Sequence, residues 1–100
     1  MDSLLKLVEK NKAYARAYNG LGKVYKQNKE YEEAIKWYKK AIEINPKYEA
    51  PYYGLGVVYY TRGEYDEAIR WFEECLRINS KYQSPLCGLG SAYHKKNNTE

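Results

Sequence analysis

Apolar and polar positions follow helical spacing along this chain, break off, and then begin again. Over 15–27, Tyr18, Leu21, Gly22 and Tyr25 fall at i, i+3, i+4 and i+7, one face of an α-helix. Over 31–44, Tyr31, Ala34, Ile35 and Tyr38 repeat the spacing, continued by Ala41 and Ile42. Both patterns return 34 residues later, where 15–48 lies on 49–82 without a gap. Tyr18 falls on Tyr52, Gly20-Leu21-Gly22 on Gly54-Leu55-Gly56, Ala34-Ile35 on Ala68-Ile69, and Trp37 on Trp71. A third copy opens at Gln83 with Pro85, Gly88-Leu89-Gly90 and Tyr93 in register, and stops halfway. Residues 2–14 fit the second half of a preceding copy.

The punctuation agrees with two helices per repeat. Asn28, Gly63 and Asn97 stand between the halves, one per repeat, and Asn and Gly tolerate the left-handed residue that closes a helix. Asn45-Pro46 ends the second helix, because proline disfavours helical geometry in the residue before it. Pro51 and Pro85 sit where the next helix begins, a position that suits proline. The expectation is an all-α solenoid of about six antiparallel helices in one domain. Residues 1–14 would be the second helix of an incomplete repeat, 15–48 and 49–82 whole repeats, and 83–100 the first helix of another or a terminal cap. One helix pair of this size cannot bury enough surface alone, so the pairs must stack. Gly22, Gly56, Ala34 and Ala68 allow close approach, and Tyr18, Tyr25 and Tyr38 fill the remaining space.

This pattern closely resembles the tetratricopeptide repeat family over essentially the whole chain. The family's ordered signature of large, Leu, small, aromatic, Ala, aromatic, Ala and Pro is supplied by Tyr18, Leu21, Gly22, Tyr25, Ala34, Tyr38, Ala41 and Pro46. The second repeat supplies Tyr52, Leu55, Gly56, Tyr59, Ala68, Phe72, Cys75 and Ser80, departing at the last two. The resemblance implies a right-handed superhelix whose first helices line a concave groove that takes a peptide or a helix. Pentatricopeptide repeats, which read single-stranded RNA, have a longer period and a different repeat ending. The family's clamp for chaperone C-terminal carboxylates does not carry over: its five positions hold Asn19, Lys23, Gly54, Ser84 and Gly88 here. Those glycines are expected to leave the groove floor open.

Tyrosine, with 13 copies, is the unusual residue. Tyr18, Tyr25, Tyr31, Tyr38, Tyr52, Tyr59, Tyr65 and Tyr93 occupy core positions, and Tyr14, Tyr48 and Tyr82 recur at the turn between repeats. Tyr53 and Tyr60 fit neither role. With Val57 between them they form one stripe, which the resemblance turns toward the groove as a partner anchor, since exposed aromatics are typical hot spots. The equivalent positions are Asn19, Lys23 and Lys26 in the first repeat and Cys87, Ser91 and His94 in the third. The groove is thus expected to be aromatic in the middle and basic at one end, where an acidic segment of a protein or peptide partner would lie.

Charge and chemistry narrow the function further. The net charge is +4, and the basic excess sits in 1–48 while 49–82 is net acidic, unlike a face that tracks phosphates along its length. A lone His94 and two cysteines supply neither a catalytic constellation nor the four ligands of a zinc site, so no enzyme, metal or cofactor is expected. Cys75 replaces a core alanine and reads as an inert buried thiol. No apolar run approaches the ~20 residues of a membrane helix, and the first residues lack a secretory leader, which together read as cytoplasmic. Both ends expose half-repeats: Leu4, Leu5 and Val8 at one, Leu86, Leu89 and Tyr93 at the other. The alternative reading is therefore head-to-tail self-association through these faces, as a repeat unit or a piece of a longer array.

Overall fold

The computed structural model describes residues 2–79, 81 and 83–97, with side chains described at 12–79, 81 and 88–96. Five helices make up the described chain: α1 (Asp2–Gln27), α2 (Tyr31–Ile44), α3 (Ala50–Thr61), α4 (Tyr65–Ile78) and α5 (Gln83–Asn97). The boundaries follow local chemistry. Asn45 stops α2, and its Oδ1 accepts a hydrogen bond from Lys47 N at 3.3 Å. Asn79 repeats this turn after α4, accepting from Lys81 N at 3.2 Å. Pro51 occupies the first turn of α3, where its missing N–H costs nothing. The Tyr52 hydroxyl ties that turn down by donating to the Pro46 carbonyl at 2.8 Å.

The count of helices differs from the expected six because the first two are one. α1 runs unbroken for 26 residues through the point where a turn was expected. The later turn is made by Asn45-Pro46 and Pro51, whereas the same positions here hold Asn11-Lys12 and Ala17. With good helix formers such as Lys12, Ala13, Ala15, Arg16 and Ala17 and no proline, nothing interrupts the backbone hydrogen bonds. A second difference lies in the turn inside the repeat. The left-handed residues are Gly63 (φ 84°) and Lys29 (φ 64°), 34 apart, so Asn28 stands one position short of the role assigned to it.

Adjacent helices pack as pairs, α1 on α2 and α3 on α4, and each pair meets the next through α2 on α3 and α4 on α5. The first helices also touch one another, α1 with α3 and α3 with α5, whereas α2 and α4 do not meet. The first-helix layer is therefore the tighter one, and the stack curves toward it. The result is an elongated solenoid of 57 × 29 × 16 Å. Two clusters form its core. Ala34, Tyr38, Leu55 and Val58 seal the first repeat to the second, and Ala68, Ile69, Phe72 and Ala92 seal the second to α5.

Two close approaches hold these clusters. A Cβ on Gly22 would stand 2.7 Å from the Tyr38 ring, and one on Gly56 would stand 2.5 Å from Phe72 Cδ1, so the aromatic of each second helix rests on its own first helix. The same rings also rest on the following repeat, Tyr38 on Gly54 and Phe72 on Gly88. These last two glycines therefore do not open the groove floor; they are seats for a ring from the preceding repeat. Tyr18 stacks on Trp37 at 5.4 Å between centroids, and the equivalent Tyr52 lies on Trp71 at 6.0 Å in the second repeat.

Candidate functional site

α1, α3 and α5 form the first-helix layer toward which the stack curves. On α3 the stripe of Tyr53, Val57 and Tyr60 is half-buried rather than free. All three pack against the cluster of Phe72 and Ala92, Tyr53 with its ring 5.8 Å from that of Phe72. Tyr60 meets Tyr65 edge-on at 5.5 Å. Both tyrosines thus have an architectural role that their sequence positions did not reveal. Each is also held in place with part of its surface still open.

The first-repeat positions separate. Asn19 is buried at 3 % exposure, so its side chain lies beneath the surface rather than on it. Its Oδ1 and the Tyr38 hydroxyl are buried with no hydrogen-bond partner among the described residues. Lys23 is exposed, and Lys26, one turn on, is half-buried. Burial, reinforced by the charge of Lys23, holds the Lys26 ammonium below the usual lysine range. No ion pair to either lysine occurs among those of the described residues. On α5, Ser91 and His94 are exposed, while Cys87 lies outside the described side chains.

The residues expected at the ends divide in the same way. Leu4, Leu5, Val8 and Leu86 lie outside the described side chains. Leu89 is half-buried against Phe72 and Ala92, so it belongs to the core instead of an open face. Tyr93 is exposed, and so is Leu21, which the repeat pattern had placed in the core. Tyr14 is exposed as well, because the turn it was to pack against is not made; Tyr48 is half-buried and Tyr82 is not described.

The Cys75 thiol is fully buried and donates to the Glu49 carbonyl at 3.3 Å, and burial pushes its pKa up to about 12. Among the described residues no group of three His, Cys, Asp or Glu side chains is placed to hold a metal ion. Among them, too, no helix is long and apolar enough to cross a membrane. The ring seats at Gly54 and Gly88 were missed in the sequence, although a signal existed: the Gly-Leu-Gly of α3 offers two glycines, and two rings, Tyr38 on Gly54 and Phe72 on Gly56, account for both.

Comparison with known proteins agrees with this architecture. A tetratricopeptide repeat model matches residues 4–47 and 14–81. No curated protein sequence matches the chain. Among solved structures, MamA is similar at 34 % identity and a TM-score of 0.81, over 86 % of this chain and 50 % of its own. YrrB, described as a TPR protein with an unusual peptide-binding site, is similar at 31 % identity and a TM-score of 0.79, over 93 % of this chain and 48 % of its own. This chain thus spans about half the length of each. The second TPR of Spaghetti (RPAP3), solved with the HSP90 peptide SRMEEVD bound, shares the fold at 19 % identity and a TM-score of 0.83, over 88 % of this chain and 82 % of its own. With the 34-residue period, the paired helices and the family match in accord, this chain belongs to the tetratricopeptide repeat family, a family of protein-interaction modules.

Proposed function

We propose that this chain is a non-catalytic recognition module that lays an extended or helical protein segment along its concave face, with acidic residues of that segment over Lys23 and Lys26. The observation that carries the reading is the uncompensated basic pair. Two ammonium groups lie three positions apart on one helix, one of them half-buried and already disfavoured in its charged form. Like charges at that spacing destabilise a helix, and a carboxylate placed between them relieves the cost. Tyr53, Val57 and Tyr60 then serve as the apolar anchor. Their packing on Phe72 and Tyr65 fixes their rotamers before a ligand arrives, which lowers the entropy lost on binding.

The peptide-binding site named for YrrB and the acidic peptide bound by the Spaghetti domain support a peptide as ligand class. The test is selection from a displayed peptide library on the wild-type chain, beside Lys23→Ala/Lys26→Ala and Tyr53→Phe/Tyr60→Phe. Acidic segments enriched on the wild type and lost with the lysines establish the site. Enrichment indifferent to both pairs of substitutions would move recognition off this face.

A further inference from the structure

Gly20, in the first-helix layer, lies under no ring. Gly54 and Gly88 each receive an aromatic ring from the preceding second helix, but a Cβ on Gly20, the same position one repeat earlier, would meet nothing within 4 Å. The rest of that helix face tells the same story. On α3, Leu55 and Val58 are both 0 % exposed; their counterparts on α1, Leu21 and Val24, are 39 % and 52 % exposed. Pro51 is buried, and its counterpart Ala17 is exposed. The helix face is the same, and at the Gly, Leu and Val positions so is the residue type. What differs is the cover: α2 lies over this face of α3, and no described element lies over it on α1.

The internal repeat says what would fit. Tyr38 seats on Gly54, so 34 residues earlier Leu4 stands in register to seat on Gly20. Continuing that antiparallel register sets Leu7 level with Ala17 and brings Glu9 beside Arg16. Residues 2–11 therefore carry the pattern of the missing cover. Because α1 runs straight through 12–14, the segment points away from its own chain's open face.

We propose that this face is covered by the 2–11 segment of a second copy, the two chains pairing antiparallel through their long first helices. In this register residue i of one chain faces residue 24 − i of the other, so the contact is its own mirror about a twofold axis near Lys12. Such an isologous contact closes on itself, and exchange of an identical element is a low-cost route to a dimer. It takes the place of the head-to-tail join. That join continues the stack only if 2–12 folds back on its own α1, which the straight helix does not do.

The experiment is sedimentation of the full chain and two variants across the micromolar to millimolar range. Wild type is expected to be a dimer. Ala17→Lys, at an exposed position level with Leu7 of the second copy, is tolerated by a monomer and is expected to be one. Lys12→Pro restores the Asn-Pro turn found at 45–46, so its arm closes on its own chain, giving a monomer that loses helix only over the few residues of the new turn. In a further variant, Leu7→Cys with Ala17→Cys, oxidation should link 7 to 17 between chains, as read by peptide mapping. A wild-type monomer throughout, open-ended assemblies, a 7–17 link within one chain, or a dimer that forms no such link would each overturn the proposal.

Discussion

The ring of Tyr38 on α2 rests directly on the backbone of Gly54 on α3, so that a methyl group at Gly54 would stand 2.5 Å from Tyr38 Cε1. Tyr38 is 1 % exposed and pressed from the other side by Gly22, so the ring has no room to retreat. Gly54→Ala is expected to cost ~1–3 kcal/mol by overpacking, and Gly88→Ala, under Phe72, a similar amount. Gly90 faces open space; there alanine removes only the entropy penalty of a helical glycine and should stabilise by ~0.5–1 kcal/mol. Urea midpoints of the three variants check both signs at once.

Lys29 holds φ at 64° at the turn where the second repeat has Gly63 at 84°. A side chain in the left-handed region carries steric strain that glycine avoids. Lys29→Gly should therefore raise stability by ~0.5–1 kcal/mol even though glycine loses more chain entropy on folding. Gly63→Ala should lower it by ~1 kcal/mol for the converse reason. A shift in midpoint without a change in denaturant slope is the expected signature.

Much of the fold was legible because its determinants are local and repeat. The 34-residue period, the Asn-Pro stop after α2 and the proline at the start of α3 each act within a few residues. The straight α1 was hidden by the same regularity: the apolar pattern of 2–14 fits a separate helix, but the turn needs prolines that Lys12 and Ala17 do not supply. Asn28 was assigned to the turn on residue type, and the geometry chose its neighbour Lys29 by position. The candidate site was less legible, since burial depends on tertiary neighbours. Tyr53 and Tyr60 looked free until Phe72 and Tyr65 were placed beside them, and Asn19 looked exposed until it was found beneath the surface.

High pH should loosen the core. Burial raises the Cys75 thiol from 9.0 to about 12 and the Tyr38 hydroxyl from 10.0 to about 12. A group with a raised folded-state pKa holds its proton more tightly when folded. Its contribution is complete below the unfolded pKa and is lost as pH rises through the folded value. Stability is thus expected to fall from about pH 9 toward pH 12. Cys75→Ala, which installs the residue found at Ala41 in the first repeat, should delay the onset toward pH 10, where Tyr38 takes over. Urea titrations at stepped pH would show the shift. Native alkylation at Cys75 should be negligible, with full reaction in denaturant.

Lys23 and Lys26 predict a trade between stability and binding. They lie three positions apart, and the charge of Lys23 adds to burial in holding Lys26 below the usual lysine range. Lys23→Glu turns a repulsive helix pair into an attractive one, worth ~0.2–0.5 kcal/mol to the fold. It also moves the Lys26 pKa back up. The same change puts a carboxylate where the ligand's own carboxylate would lie, and like charges across an interface suppress association. The variant should therefore unfold at a higher urea concentration than wild type and yet lose its acidic peptides. Lys23→Ala should fall between the two in both respects. A Lys23→Glu protein that is more stable and binds the selected peptides as tightly as wild type would show that the basic pair is a solvated surface and that recognition rests on the tyrosines alone.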